Sequence, residues 1–359
     1  MSWSDEQLVF AFWPGGADGD PQRTDLLGGK GASLAALCRA GFPVPPGFTI
    51  SARCCEYVAS HGHWPPGLEA QLQRALEQLE GRVGRPYGAG PQPLLLAVRS
   101  GAAVSMPGMM DTILNCGLHP GLVAATTSPA TFWAQYAEHL RMFLASVTGA
   151  TLASQEDELP RNHAARLLDE WERRTGRPLP DDVGERLRLA INAVLASWNS
   201  ERATTYRRHH AIRHVTGTAV NVQAMFPSQR SGVLFTANPQ APRAGEMVLE
   251  ASWGLGEAVV SGAVTPDVYV LDAASLRILR TQPGQRPHDE PALSEGQIVT
   301  LGELGRRVAE YFDHPCDIEW GWADGQPALL QARAIKGLEL AADLQDARSE
   351  ERQRLQSLG

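Results

Sequence analysis

The chain has no run of about 18 apolar residues, the length a membrane-spanning helix needs. Its start, Met1-Ser-Trp-Ser-Asp-Glu-Gln7, has neither the basic flank nor the apolar core of a secretory signal. Both absences predict a cytoplasmic protein with no membrane partner. Cysteine is sparse. Cys38, Cys54, Cys55, Cys116 and Cys316 are odd in number, include an adjacent pair and contain no C-x-x-C. That argues against a disulfide framework or a zinc ribbon and predicts buried, reduced thiols. Positive charge is not in excess either: 32 Lys and Arg stand against 40 Asp and Glu, a net charge of −8. A nucleic-acid scaffold or a binder of anionic membranes is therefore not expected, although a local basic pocket can still hold a nucleotide. His61-x-His63 and the His210/His214 pair come without H-E-x-x-H or a cysteine partner, and read as exposed histidines. There is no G-x-S-x-G elbow. Gly28-Gly-Lys-Gly31 is not a P-loop, because Lys30 is followed by Gly31 rather than Ser or Thr. Gly254-Leu-Gly-Glu257 is not a dinucleotide fingerprint, because Val259 stands where the third glycine belongs.

What is present is ordinary for a soluble globular protein: 43% hydrophobic and 20% charged residues over 359 positions, with a mean hydropathy of −0.22. The length predicts about two or three domains. The 35 glycines and 25 prolines sit in discrete clusters, which predicts shaped loops rather than disorder. Leu26 to Leu37 reads as a glycine loop opening a helix, Phe48-Thr-Ile50 as a short strand, and 67–80 as a helix with Leu68, Leu72, Leu76 and Leu79 on one side. Leu94–Ser100 has the look of a buried strand whose charged end is exposed. Residues 128–214 are helical in pattern. Short apolar strands follow at 220–226, 232–236, 247–251, 268–271, 317–320 and 328–333. The resulting division is an α/β lobe over 1–214 that includes a helical portion from about 113, a β-rich lobe over 215–335, and a charged tail over 336–359.

Several residues could carry chemistry. Lys30 in its glycine loop offers an ammonium and backbone N–H groups to an anion, or is simply a solvated lysine on a turn. Arg99, at the end of an apolar strand, either pairs with a carboxylate or aims a planar fork at a ligand phosphate. Ser105-Met-Pro-Gly-Met-Met-Asp-Thr112 is too apolar for an idle surface loop. It is either packed on the core through its methionines or a flap presenting Ser105 and Thr112 to a ligand. Asp317 and Glu319 lie on one face of a strand, and Gln331 and Arg333 repeat the spacing. If those strands pair, two acids, an amide and a guanidinium form one patch of the kind that holds Mg2+ together with phosphates; otherwise they are a solvated hairpin face. Glu250 and Glu257 flank the Gly254 turn as metal ligands, ribose acceptors or surface acids.

Taken in order, these segments are more specific than any one of them. Gly28-Gly-Lys-Gly-Ala-Ser-Leu34, Val44-Pro-Pro-Gly-Phe-Thr-Ile50 and Val98-Arg-Ser-Gly-Ala-Ala-Val-Ser-Met-Pro-Gly-Met-Met-Asp-Thr112 closely resemble the N-terminal ATP-binding domain of the pyruvate phosphate dikinase family. Ser231-Gly-Val-Leu-Phe-Thr-Ala-Asn-Pro239, Gly254–Gly262 and Thr265-Pro-Asp267 look more like phosphoenolpyruvate synthase and rifampin phosphotransferase. Asp317-Ile-Glu-Trp320 and Leu330-Gln-Ala-Arg333 are shared across that superfamily. The resemblance covers roughly residues 20 to 335.

The resemblance implies an α+β, two-lobed ATP-grasp-type fold. It further implies that Lys30 and Arg99 contact the nucleotide phosphates, that Arg333 stabilises the transferring group, that Glu319 and Gln331 hold Mg2+ with those phosphates, and that Gln223 and Met225 line the adenine pocket. Ser105, Thr112, Glu257 and Asp317 would complete the ATP site. In the family, ATP phosphorylates a histidine on a separate swivelling domain, which serves a third, substrate-binding domain. No Thr-Ser-Gly-Gly…Ser-His motif follows Lys336 in this sequence. The expectation is a dikinase-type Mg-ATP phosphotransferase module that needs a partner domain to complete a reaction. A non-catalytic ATP sensor and the ATP half of an antibiotic-inactivating enzyme are the alternatives.

Overall fold

A computed structural model describes residues 3, 6–104, 106, 108–212, 214–255, 259, 262, 264–285 and 290–338. The chain forms two compact units, Met1–Met225 and Phe226–Gly359, and each is mixed α+β around one antiparallel sheet of six strands.

In the first unit the strands are β1 (Val9–Trp13), β2 (Gly16–Ala17), β3 (Gly47–Ile50), β4 (Leu96–Ala102), β5 (Thr112–Cys116) and β6 (Thr218–Ala224). Their order across the sheet is β2-β1-β3-β6-β4-β5. Strand β6 is buried throughout and pairs with β3 on one side and β4 on the other. Alternation divides its side chains between the two faces. Val220, Val222 and Ala224 join Phe48, Ile50, Val98 and Ile113 in the main hydrophobic core. Asn221 and Gln223 point to the opposite face.

The helices are α1 (Thr24–Arg39), α2 (Ala52–His61), α3 (Leu68–Val83), α4 (Pro129–Thr148), α5 (Pro160–Thr175), α6 (Val183–Ser197) and α7 (Glu201–His209). Their ends are written locally. Ser51, Ser128, Asp182 and Ser200 accept hydrogen bonds from first-turn N–H groups, while Gly62, Gly84, Gly149 and Gly176 end helices with left-handed φ.

The division after residue 214 is corrected here. It places β6 in the second lobe, but the hydrogen bonds of β6 make it a central strand of the first sheet, so that unit runs to Met225. The helical portion also starts later than residue 113. Thr112–Cys116 is a strand hydrogen-bonded to β4, and a short 3-10 turn, Pro120–Ala125, precedes α4.

In the second unit β7 (Arg230–Phe235), β8 (Glu246–Trp253), β9 (Asp267–Asp272), β10 (Ile278–Gln282), β11 (Cys316–Ala323) and β12 (Gln326–Ala334) are ordered β10-β9-β8-β7-β11-β12. One face carries α8 (Glu295–Phe312), opened by a capping box between Ser294 and Gln297. Gly305 makes close packing possible, since a Cβ there would lie 2.3 Å from Leu234 Cδ2. Asp267, in Thr265-Pro-Asp267, is a buried brace: its carboxylate accepts from Gly284 N (2.7 Å), Ala292 N (2.9 Å) and the Tyr269 hydroxyl (3.1 Å). All five cysteines are free and buried. Residues 339–359, most of the expected charged tail, lie outside the described residues.

Candidate functional site

Two side-chain constellations stand out, one on each unit. The first lies on the face of the first sheet opposite its main core. Thr49, Asn221, Arg99 and Thr112 are direct cross-strand partners on β3, β6, β4 and β5, so they form one row across a single face. Helix α1 packs on that face. It is kinked at Gly28, whose φ is 66°. A Cβ at Gly28 would fall 1.4 Å from the Gly101 carbonyl oxygen, so only glycine permits this approach of helix to strand. The kink makes residues 29–31 the opening turn of the continuing helix, and the Lys30 Cβ lies 3.5 Å from where a Cβ on Gly101 would be. Gly101 is two residues from Arg99 on the same strand. Lys30 and Arg99 are thus carried on one face by neighbouring backbone.

Other expected residues of this unit are placed differently from one another. Thr112 is half-buried beside Arg99. Gln223 is buried and donates from Nε2 to the Pro45 carbonyl at 3.0 Å. Met225 packs with Ala97, Leu114 and Met142. Ser105 lies outside the described residues. Of the loop that contains it, Met106 is buried in the main core and Met109 and Met110 pack against that core. Asp111 forms an ion pair with Arg202 of α7. Burial pushes the Asp111 carboxyl up and the Arg202 guanidinium pulls it back.

The second constellation is on the face of the second sheet opposite α8. Its origin is a hairpin. Asp324-Gly325, both with positive φ (50° and 75°), close β11 onto β12 in the two-residue turn that favours Asp-Gly. From Ala323↔Gln326 the register runs evenly to Trp320↔Leu329. It then skips Leu330, so that Glu319 faces Gln331 and Asp317 faces Arg333. Without that bulge, Glu319 would stand opposite Leu330 and Gln331 and Arg333 would turn to the other face. Arg333 donates to Asp317 Oδ2 from Nε at 2.8 Å, with its NH2 nitrogen 2.6 Å from the same oxygen. Burial pushes the Asp317 carboxyl up, Arg333 opposes this, and the Glu319 charge adds to it. The Gln331 side chain is buried, and its Oε1 has no hydrogen-bond partner among the described residues. A buried amide oxygen left open beside carboxylates matches the donor chemistry of a hard divalent cation.

Glu250 belongs to this patch as well. It is paired with Val233, which is paired with Glu319, so all three share a face. Burial pushes its carboxyl up, and the Asp317 charge reinforces the rise. Glu257 lies outside the described residues. Among the described residues no three His, Cys, Asp or Glu side chains are grouped to hold a metal ion. A cation here would therefore draw on few carboxylates, the Gln331 amide and its own ligand's oxygens, the pattern Mg2+ uses with phosphates.

Sequence reasoning did not single out Thr49 or Asn221. The signal was available in β6, where Asn221 stands between Val220 and Val222 in a fully buried strand.

Among the described residues, no helix is long and apolar enough to cross a membrane. Residues 58–354 match a family described as the AMP/ATP-binding domain of pyruvate phosphate dikinase. The pyruvate, phosphate dikinase of Rhizobium meliloti is 35% identical over 373 residues, which cover 94% of this chain and 40% of the relative. Pyruvate, phosphate dikinase 2 of Oryza sativa subsp. japonica is 38% identical over 290 residues, 72% of this chain and 32% of the relative. The enzyme of Rickettsia conorii is 30% identical over 370 residues, 94% of this chain and 40% of the relative. The chain thus spans two fifths or less of the length of these relatives. It belongs to the pyruvate phosphate dikinase AMP/ATP-binding domain family and is an ATP-binding module of the dikinase type.

Proposed function

We propose that the chain is an ATP-grasp-type Mg-ATP module that hands a phosphoryl or pyrophosphoryl group to a histidine on a separate domain or partner. The observation that carries this reading is the bulged β11–β12 hairpin, which sets Asp317, Glu319, Gln331 and Arg333 on one face. Phosphoryl transfer asks little covalent work of a protein; it needs positioning and cancellation of charge. In this reading Lys30 and Arg99 bind the phosphate chain, and Asp317 orients the Arg333 fork toward the group in flight. Glu319 and Gln331 hold Mg2+, with Glu250 adding charge to the same face. A cation held by these residues would supply positive charge that offsets the charge developing on the phosphates. For pyrophosphoryl transfer an imidazole nitrogen of the acceptor attacks the β-phosphorus, the bond from that phosphorus to the bridging oxygen breaks, and AMP leaves with the oxygen. Gln223, Met225, Thr112, Ser105 and Glu257 complete the nucleotide site in this reading.

Calorimetric titration with Mg-ATP, comparing wild type with Glu319→Ala, tests the binding step. A dissociation constant between about 1 μM and 1 mM is expected, weakened in the variant. Adding a dikinase-type phosphohistidine domain should then yield AMP; ADP as the only nucleotide product would overturn the dikinase part. A second check uses the scarcity of lysine, since Lys30 and Lys336 are the only two in the sequence. An acyl-phosphate derivative of ATP should acylate Lys30 in preference to Lys336, and excess Mg-ATP should protect it. Equal labelling of both lysines would remove Lys30 from the phosphate site.

A further inference from the structure

Among the buried polar side chains of the first unit that the proposed chemistry leaves unused, Asn221 stands next to both proposed phosphate-binding cations. Asn221 is 1% exposed, in the middle of β6. Its Oδ1 accepts the Thr49 hydroxyl at 2.8 Å. Its Nδ2 has no hydrogen-bond partner among the described residues. An amide satisfied at one end and open at the other is costlier in a core than an apolar side chain of similar size. Packing alone gives no reason for it.

Its surroundings supply one. Two glycines, on two different elements, make the room this side chain occupies. A Cβ on Gly31 of α1 would lie 2.9 Å from Asn221 Oδ1 and 2.8 Å from Thr49 Oγ1. A Cβ on Gly101 of β4 would lie 2.4 Å from Asn221 Nδ2. Gly31 directly follows Lys30, and Gly101 is two residues along the same strand face from Arg99. Asn221 is also the direct cross-strand neighbour of Arg99. One buried amide, anchored at Oδ1 by the Thr49 hydroxyl, therefore fills the space left by a glycine beside the lysine and by a glycine on the strand that carries the arginine.

We propose that Asn221 is a positioning residue: it sets the spacing between the Lys30 turn and the Arg99 strand, and so the geometry in which the two cations meet a nucleotide's phosphates. This rests on the reading that Lys30 and Arg99 contact those phosphates. Asn221 does not touch the ligand itself. Its side chain is enclosed, and it acts through the two glycine-bearing segments. Residues that act as one unit in this way show non-additive losses.

The test is a double-mutant cycle read by calorimetry, with Mg-ATP and with adenosine, which has no phosphate. Wild type, Asn221→Ala, Arg99→Ala and the double variant are compared, each checked by thermal unfolding. Asn221→Ala should weaken Mg-ATP binding at least tenfold while leaving adenosine binding within twofold. The Arg99→Ala loss should shrink severalfold in the Asn221→Ala background. Unchanged Mg-ATP affinity in Asn221→Ala overturns the proposal. Equal losses for Mg-ATP and adenosine overturn it too, since they mark general damage, and so do fully additive losses with Arg99→Ala. If Asn221→Ala does not fold, Asn221→Leu takes its place in the cycle: it keeps most of the volume and adds no charge beside the two cations, and the same outcomes apply. A wild-type chain that binds no Mg-ATP refutes the phosphate reading first and this inference with it, and the wild-type arm alone identifies that case.

Discussion

Arg333 and Asp317 stand directly opposite each other on neighbouring strands, joined by a 2.8 Å hydrogen bond from Nε to Oδ2. The carboxylate is well covered, with 12% of its side chain exposed, while the guanidinium is 39% exposed. The pair has one closed end and one open end. Asp317 fixes the fork at its closed end, leaving the remainder of the guanidinium to meet an anion.

Arg333→Ala leaves a mostly buried carboxylate without its counter-charge. Because the arginine is partly solvated, the expected stability loss is about 1–2 kcal/mol rather than the larger cost of a fully buried pair. Mg-ATP affinity should fall at the same time. Arg333→Lys should recover part of the stability but little of the affinity, since an ammonium lacks the planar fork. Chemical denaturation and calorimetry on the two variants read both effects.

Gln331 should show stability and binding moving in opposite directions. Gln331→Met removes a buried oxygen that has no partner among the described residues, which should raise stability by about 1 kcal/mol. The same change removes a cation ligand in the proposed site, so Mg2+ should no longer enhance nucleotide binding as it does in wild type. A variant both less stable and undiminished in Mg2+ dependence would take Gln331 out of that role.

Gly28 and Gly15 separate backbone strain from steric overlap. Both have positive φ, 66° and 92°, but nothing lies within 4 Å of a Cβ on Gly15. Gly15→Ala should cost about 1–2 kcal/mol from conformation alone. Gly28→Ala adds a collision with the Gly101 carbonyl and should cost about 3–5 kcal/mol. Thermal unfolding of the two variants side by side measures the difference.

His139 predicts an acid-sensitive first unit. It is buried in α4 and its Nδ1–H donates to the Leu114 carbonyl at 2.7 Å. Burial pushes its pKa down to about 4. In the unfolded chain the imidazole titrates near 6.5. Between those values the unfolded state takes up a proton that the folded state refuses. The stability is fully present above pH 6.5 and falls as the pH drops toward 4, by about 3 kcal/mol in all. His139→Gln should flatten that part of the pH–stability curve in denaturant titrations.

The residues of the candidate site were mostly legible in the sequence, because each is a polar interruption of an apolar pattern. Arg99 ends a continuous apolar run, and Asp317, Glu319, Gln331 and Arg333 alternate with core residues. The spacing of Leu68, Leu72 and Leu79 gave α3, and Ser294-x-x-Gln297 carries the pattern of the capping box that opens α8. The boundary between the units was not legible. Val220 to Phe226 reads as a strand wherever it belongs, and only its pairing with β3 and β4 assigns it to the first sheet.

The sequence by itself determined which side chains alternate along the strands and which segments carry helical spacing. It left the partner of each strand and the register open, because those depend on contacts between residues far apart in the chain. The tertiary structure decided that Leu330 bulges, which turns Gln331 and Arg333 onto the face of Glu319 and Asp317. It decided equally that Gly28, Gly31 and Gly101 are glycines for close packing around Asn221, since a missing Cβ acquires meaning only from the atom that comes to occupy its place.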